Sequence, residues 1–116
     1  MVRVRRGDIW FADLGEPIGS EPGYVRPVLV VQDNRFTDSN LATVVVIALT
    51  SRLGYGRYPG NVALSAKESG LEKDSVINVT QIVTVDKAQL TEMAGSVSQM
   101  TLDQVEYGLG LVLGMK

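Results

Sequence analysis

Two valine-rich runs, residues 26–32 (RPVLVVQ) and 43–49 (TVVVIAL), constrain this chain more than any other feature. Both are apolar almost throughout rather than at alternate positions, which describes strands buried on both faces, and both are too short for typical helices. They should be neighbours in one sheet. Shorter stretches of strand character surround them at residues 9–12, 61–64, 76–79 and 82–85, the last two separated by a tight connection. Six closely spaced strands predict a small β-barrel.

Two segments carry helix-start signals. Ser65-Ala66-Lys67-Glu68 and Thr101-Leu102-Asp103-Gln104 both match the reciprocal capping box. Gly70 ends the first after about a turn, whereas Leu102, Val105, Leu109 and Val112 or Leu113 mark the apolar face of a terminal helix that packs on the barrel. Gly108, Gly110 and Gly114 each cost that helix up to about 1 kcal/mol relative to Ala, so they predict close contact with a neighbouring element. Gly15, Pro17, Gly19, Ser20, Pro22 and Gly23 form a long loop after the first strand. The fold class is mainly β with helices (α+β), and 116 residues at 45% hydrophobic content suit a single domain over 1–116.

The chain has no histidine and no cysteine. Disulfide, thiolate and zinc–thiolate chemistry are thereby excluded, and the usual proton shuttle at neutral pH is missing. The carboxylates Asp8, Asp13, Glu16 and Glu21 have no spacing that demands a metal, so the expected chemistry uses neither metal nor cofactor. Arg3, Arg5 and Arg6 are followed by no apolar signal core, and no apolar run approaches a membrane span, so a soluble cytoplasmic protein is expected. Charge is unevenly divided: residues 1–60 hold all seven arginines against six acids, while residues 61–116 hold all four lysines against seven. Guanidinium grips phosphate with two parallel hydrogen bonds, which a lysine ammonium cannot do.

Three groups of residues could carry chemistry. Arg26 precedes Pro27, which favours extended geometry, and the apolar run behind it makes a rigid mount for a cation beside the Gly19-Ser20-Glu21 loop. That arrangement suits a phosphate, the alternative being an ion pair with Asp8 or Asp13. Thr50 and Ser51 end the second long run and lead into Arg52, Tyr55, Arg57 and Tyr58. Guanidinium groups alternating with aromatic rings suit single-stranded nucleic acid, and the same tyrosines could instead cover the barrel end. Ser75, Asn78, Thr80 and Gln81 alternate with valine and isoleucine and could read base edges or bond across strands.

The chain resembles the MazF/PemK family of toxin endoribonucleases over nearly its full length. The likeness rests on Arg6-Gly7-Asp8-Ile9-Trp10, Gly19-Ser20-Glu21, Arg26-Pro27-Val28-Leu29-Val30, Ala48-Leu49-Thr50, Lys73-Asp74-Ser75-Val76-Ile77, and Gln81 leading to Thr84-Val85-Asp86-Lys87, in the family's order. It implies a homodimer of SH3-like barrels of the CcdB/PemK type that cleaves single-stranded RNA without metal and is silenced by a cognate MazE-like antitoxin. The family's reactive Arg and Thr fall on Arg26 and Thr50, with attack by the ribose 2′-hydroxyl leaving a 2′,3′-cyclic phosphate and a 5′-hydroxyl. RNA contacts are expected from Gly19, Ser20, Glu21, Ser51, Arg52, Tyr55, Arg57, Ser75, Asn78 and Gln81. The chain departs from the family at Thr80 and Val83, where an acid before the glutamine and an arginine after it are common, and residues 52–59 match poorly.

Two other functions fit a fold of this kind. A CcdB-like gyrase poison would act through its C-terminal helix, but residues 109–116 hold no terminal tryptophan. A non-catalytic SH3-like module would need an aromatic groove for peptides, and the single tryptophan, Trp10, falls in a strand.

Overall fold

The computed structural model describes residues 3–116. Six strands form one curled antiparallel sheet, a half-barrel: β1 (Asp8–Asp13), β2 (Val25–Val30), β3 (Thr43–Thr50), β4 (Val62–Leu64), β5 (Ser75–Asp86) and β6 (Leu90–Ser96), in the spatial order β4-β5-β3-β2-β1-β6. Three helices complete the fold, the short α1 (Asn34–Thr37) and α2 (Ala66–Ser69) and the terminal α3 (Gln99–Val112). The two valine-rich runs are adjacent, as expected, with Val28, Leu29 and Val30 facing Ala48, Ile47 and Val46. Both faces of this pair are covered. Leu29, Ile47 and Leu49 join Ile9, Ile77 and Val105 of α3 in one cluster, while Val28, Val30, Val44 and Val46 join Trp10, Ala12 and Leu90 in the other. Fully burying each such side chain is worth roughly 1.5–3 kcal/mol, which is why the centre of the sheet is the most legible part of the chain.

Three sequence expectations are corrected. Residues 76–79 and 82–85 are not two strands around a tight connection but parts of the single strand β5. Ile77 pairs with Leu49 and Ile82 with Ile47, so β5 advances five residues where β3 advances two, and Asn78, Val79, Thr80 and Gln81 fill the resulting bulge. Bulges of this kind re-aim side chains beside functional sites. β6 was not anticipated, since its sequence, LTEMAGS, is mostly exposed and poor in β-branched residues. Helix α3 starts one turn earlier than the Thr101 box implied: Ser98 is its cap and accepts from the Thr101 amide.

The first capping box is also only half closed. Ser65 accepts from the Glu68 amide, but the Glu68 carboxylate does not reach back to Ser65. It accepts instead from the Ser98 amide at 3.0 Å and the Thr101 hydroxyl at 2.7 Å, tying α2 to the start of α3. Those donors, the Ser98 amide foremost, hold its pKa below the ordinary value.

Among the helix glycines, Gly108 makes the predicted close approach. A methyl group there would lie 2.2 Å from the Gly60 carbonyl oxygen, so α3 and the turn before β4 meet backbone to backbone. Gly110 leaves room for the Lys116 stem, and Gly114 takes a positive φ at the helix end rather than contacting a neighbour. Leu102 and Val105 are buried as expected, whereas Val112 and Leu113 at the far end are exposed.

Candidate active site

Arg26 of β2 and Thr50 of β3 line the same cleft. The β2–β3 ladder ends at Val28 and Ala48, two residues short of Arg26 on one strand and of Thr50 on the other, so both residues lie just past the same end of the paired stretch. The cleft, of about 650 Å³, is also lined by Ser20, Glu21, Ser51, Arg52, Tyr55, Ser75, Asn78 and Gln81. Two residues from the sequence-based set do not line it. Gly19 lies at the exposed turn beside Ser20, and Arg57 points its Nε at the Gly54 carbonyl, 3.2 Å away.

Arg26 is half-buried and forms no ion pair among the described residues. The two acids that could have neutralised it are engaged elsewhere. Asp8 accepts from the Arg5 amide and the Trp10 indole, and Asp13 accepts from the Gly15 amide. A partly desolvated guanidinium without a carboxylate is electrostatically open to an external anion. Thr50 Oγ1 accepts from the Arg52 amide at 3.2 Å. With that lone pair engaged, the hydroxyl proton remains for donation to a ligand.

The walls come from three further segments. Residues 14–24 form an excursion closed at its base by the Leu14 amide on the Tyr24 carbonyl, and they carry Ser20 and Glu21 to the rim. The turn Leu53–Arg57 contributes Tyr55, whose ring lies 5.4 Å from that of Tyr58 at 52°. Tyr58 stays exposed, so this pair does not plug the end of the sheet. The bulge in β5 supplies Asn78 and Gln81.

Sequence reasoning missed Phe11, Leu71, Glu72 and Lys73 as cleft residues. Lys73 had a signal, being two residues before Ser75, but Glu72 and Leu71 read as ordinary turn. It also missed Asn61, which stands behind the wall and bonds both Tyr55 and Asn78.

A family model described as the PemK-like, MazF-like toxin of type II toxin–antitoxin systems matches residues 5–113. The chain belongs to this family. It is 44% identical over 112 residues to the endoribonuclease MazF6 of Mycobacterium tuberculosis, covering 97% of this chain and 98% of the relative. It is 41% identical over 115 residues to the endoribonuclease EndoA of Bacillus subtilis, covering 97% and 96%. Among solved structures, MazF from Deinococcus radiodurans superposes with a TM-score of 0.82 at 23% identity, covering 99% of this chain and 100% of that one. A mycobacterial endoribonuclease solved with its cognate antitoxin gives 0.78 at 27% identity over 97% of both chains. Membership in this PemK-like, MazF-like family carries the endoribonuclease reading and sets the gyrase-poison alternative aside. The peptide-module alternative loses its aromatic groove as well, because Trp10 is buried. No helix among the described residues is long and apolar enough to cross a membrane.

Proposed function

We propose that this chain, as a single toxin domain over residues 1–116, is a sequence-specific endoribonuclease that cuts single-stranded RNA in the cytoplasm and needs no metal. The observation that carries the reading is that Arg26, without an ion-pair partner among the described residues, lines one open cleft with Thr50. The ribose 2′-oxygen attacks the adjacent phosphorus and the bond to the 5′-oxygen breaks. A 2′,3′-cyclic phosphate and a 5′-hydroxyl result, the proton lost by the 2′-oxygen being balanced by one gained at the 5′-oxygen. Arg26 grips the non-bridging oxygens as charge accumulates on them, a contribution of about 10²–10³-fold for one such donor. A guanidinium offers donors and no acceptor, so Arg26 stabilises charge rather than serving as a base. Thr50 donates its free hydroxyl proton to the same phosphate. Arg52 and Lys73 attract neighbouring phosphates, Tyr55 offers a stacking face, and the Gly19-Ser20-Glu21 loop covers the strand as a flap.

The active form is a homodimer, a reading supported by exposed apolar side chains on α3, among them Met100, Tyr107 and Leu111. A MazE-like antitoxin silences it by laying an acidic, flexible segment in the arginine-bearing cleft. Relatives solved with their antitoxins support that partner.

Mixed-sequence single-stranded RNA incubated with purified protein in EDTA should be cut, and sequencing of the ends should show 5′-hydroxyl termini at a recurrent motif. DNA of the same sequence should survive, since it lacks the attacking hydroxyl. Intact RNA across diverse substrates would refute the reading.

A further inference from the structure

Asn61 stands in the turn before β4, half-buried, with every polar atom of its carboxamide engaged. Its Oδ1 accepts from the Val79 amide at 2.9 Å, and its Nδ2 donates to the Tyr55 carbonyl at 3.0 Å and to Asn78 Oδ1 at 3.3 Å. A backbone donor at one end and a backbone acceptor at the other permit one orientation of this amide only. The constraint passes to Asn78, because an N–H group can be met only by oxygen. The Thr80 hydroxyl donates to that same Asn78 oxygen at 3.2 Å. Asn78 therefore turns its N–H₂ group the other way. No described residue accepts from that group, and no buried side-chain polar atom lacks a partner, so the donor is open to solvent, on a residue that lines the cleft.

We propose that Asn61 is a specificity-determining positioning residue: it holds Asn78 with its N–H₂ toward the RNA, so that one position of the cut sequence favours a keto base. Uracil O4 or guanine O6 accepts from that group, whereas the exocyclic amines of cytosine and adenine in the same place present a second donor. Asn61 touches no base itself, acting through Asn78 and through the Tyr55 backbone that it fixes at the cleft wall. The inference rests on the nuclease reading above.

Asn61→Asp reverses the logic. One carboxylate oxygen still accepts from Val79, the other loses the bond to the Tyr55 carbonyl and draws the Asn78 N–H₂ toward itself, the Thr80 hydroxyl rotates to accept, and Asn78 now offers oxygen to the RNA. Cleavage of an RNA library should then switch at one position from uracil or guanine toward adenine or cytosine, by about tenfold or more, with the overall rate lowered by the freed Tyr55 wall. Asn78→Asp should produce the same switch without touching Asn61, and Asn78→Ala should relax that position toward all four bases. A uniform loss of rate with unaltered preferences would mark Asn61 as merely structural and overturn the proposal.

The amide orientation is also readable without RNA. In the side-chain amide spectrum, the Asn78 protons should exchange quickly with water and the Asn61 protons slowly, and Asn61→Asp should slow the Asn78 pair. Equal exchange of both pairs in the wild type would refute the assignment. A wild type that cuts no RNA removes the nuclease reading and this proposal together. A wild type that cuts, with the same base preferences as Asn61→Asp, removes this proposal alone.

Discussion

The arginines of this chain live in two electrostatic settings. Arg3 and Arg5 converge on Asp38, Arg6 reaches Glu106 and Arg35 binds Asp33, so four guanidinium groups at the N-terminal side are matched to carboxylates. The pairing shows in the acids: Arg35 pulls Asp33 down to about 2, and Arg5 followed by Arg3 holds Asp38 below its ordinary value. Arg26, Arg52 and Arg57 have no such partner among the described residues, and the first two line the cleft. The same side chain thus does two jobs. Arg3, Arg5 and Arg6 fasten the N-terminal segment to the end of α1 and to α3, whereas Arg26 and Arg52 leave positive charge where a polyanion would lie.

Four measurements would break or sharpen this contrast. Arg26→Ala should lower the cleavage rate by at least about 10²–10³-fold with the fold intact by circular dichroism. Arg26→Lys should recover little, since ammonium lacks the fork. Unchanged rates would take Arg26 out of the site. Arg52→Ala should raise KM several-fold with kcat nearly constant, and flatten the dependence of log affinity on log salt by about 0.7 for one lost phosphate contact. An unaltered salt slope would make Arg52 a bystander.

Glu68 tests an acid held by neutral donors rather than by a guanidinium. Its folded pKa lies below the ordinary 4.5, so its stabilisation is present above that value and is lost as pH falls through the folded value. Between about pH 5 and pH 3 the wild type should lose more melting temperature than Glu68→Gln, whose carbonyl still accepts from Ser98. Parallel curves would refute the linkage. The smallest effect belongs to Asp38→Asn, which breaks two exposed ion pairs yet should leave cleavage unchanged and melting nearly so at moderate salt. A marked loss of cleavage there would dissolve the distinction between the two sets of arginines.

What was legible in the sequence followed burial. The runs of valine announced β2 and β3 with Arg26 and Thr50 at their ends, and the family resemblance joined those two residues into one site. Segments whose structure depends on distant partners were not legible. β6 is specified by its pairing with β1 rather than by its own exposed side chains, and the continuity of β5 by a bulge that local alternation conceals. The true cap of α3 was hidden for a similar reason, because Thr101 fits the capping pattern in one dimension while Ser98 fills the role in three. Asn61 read as the first residue of a short strand, and its partners Tyr55, Asn78 and Val79 are known only once the chain has folded.

The meeting of Gly108 with Gly60 reaches further than packing. Helix α3 contributes no side chain to the cleft, yet it rests directly on the residue that precedes Asn61. Any group larger than hydrogen at position 108 must push that turn aside, and the push arrives one peptide later at the amide that orients Asn78. Selection for survivors of toxin expression should therefore recover substitutions at Gly108 beside those at Arg26, disarming the protein through a helix that never meets its substrate.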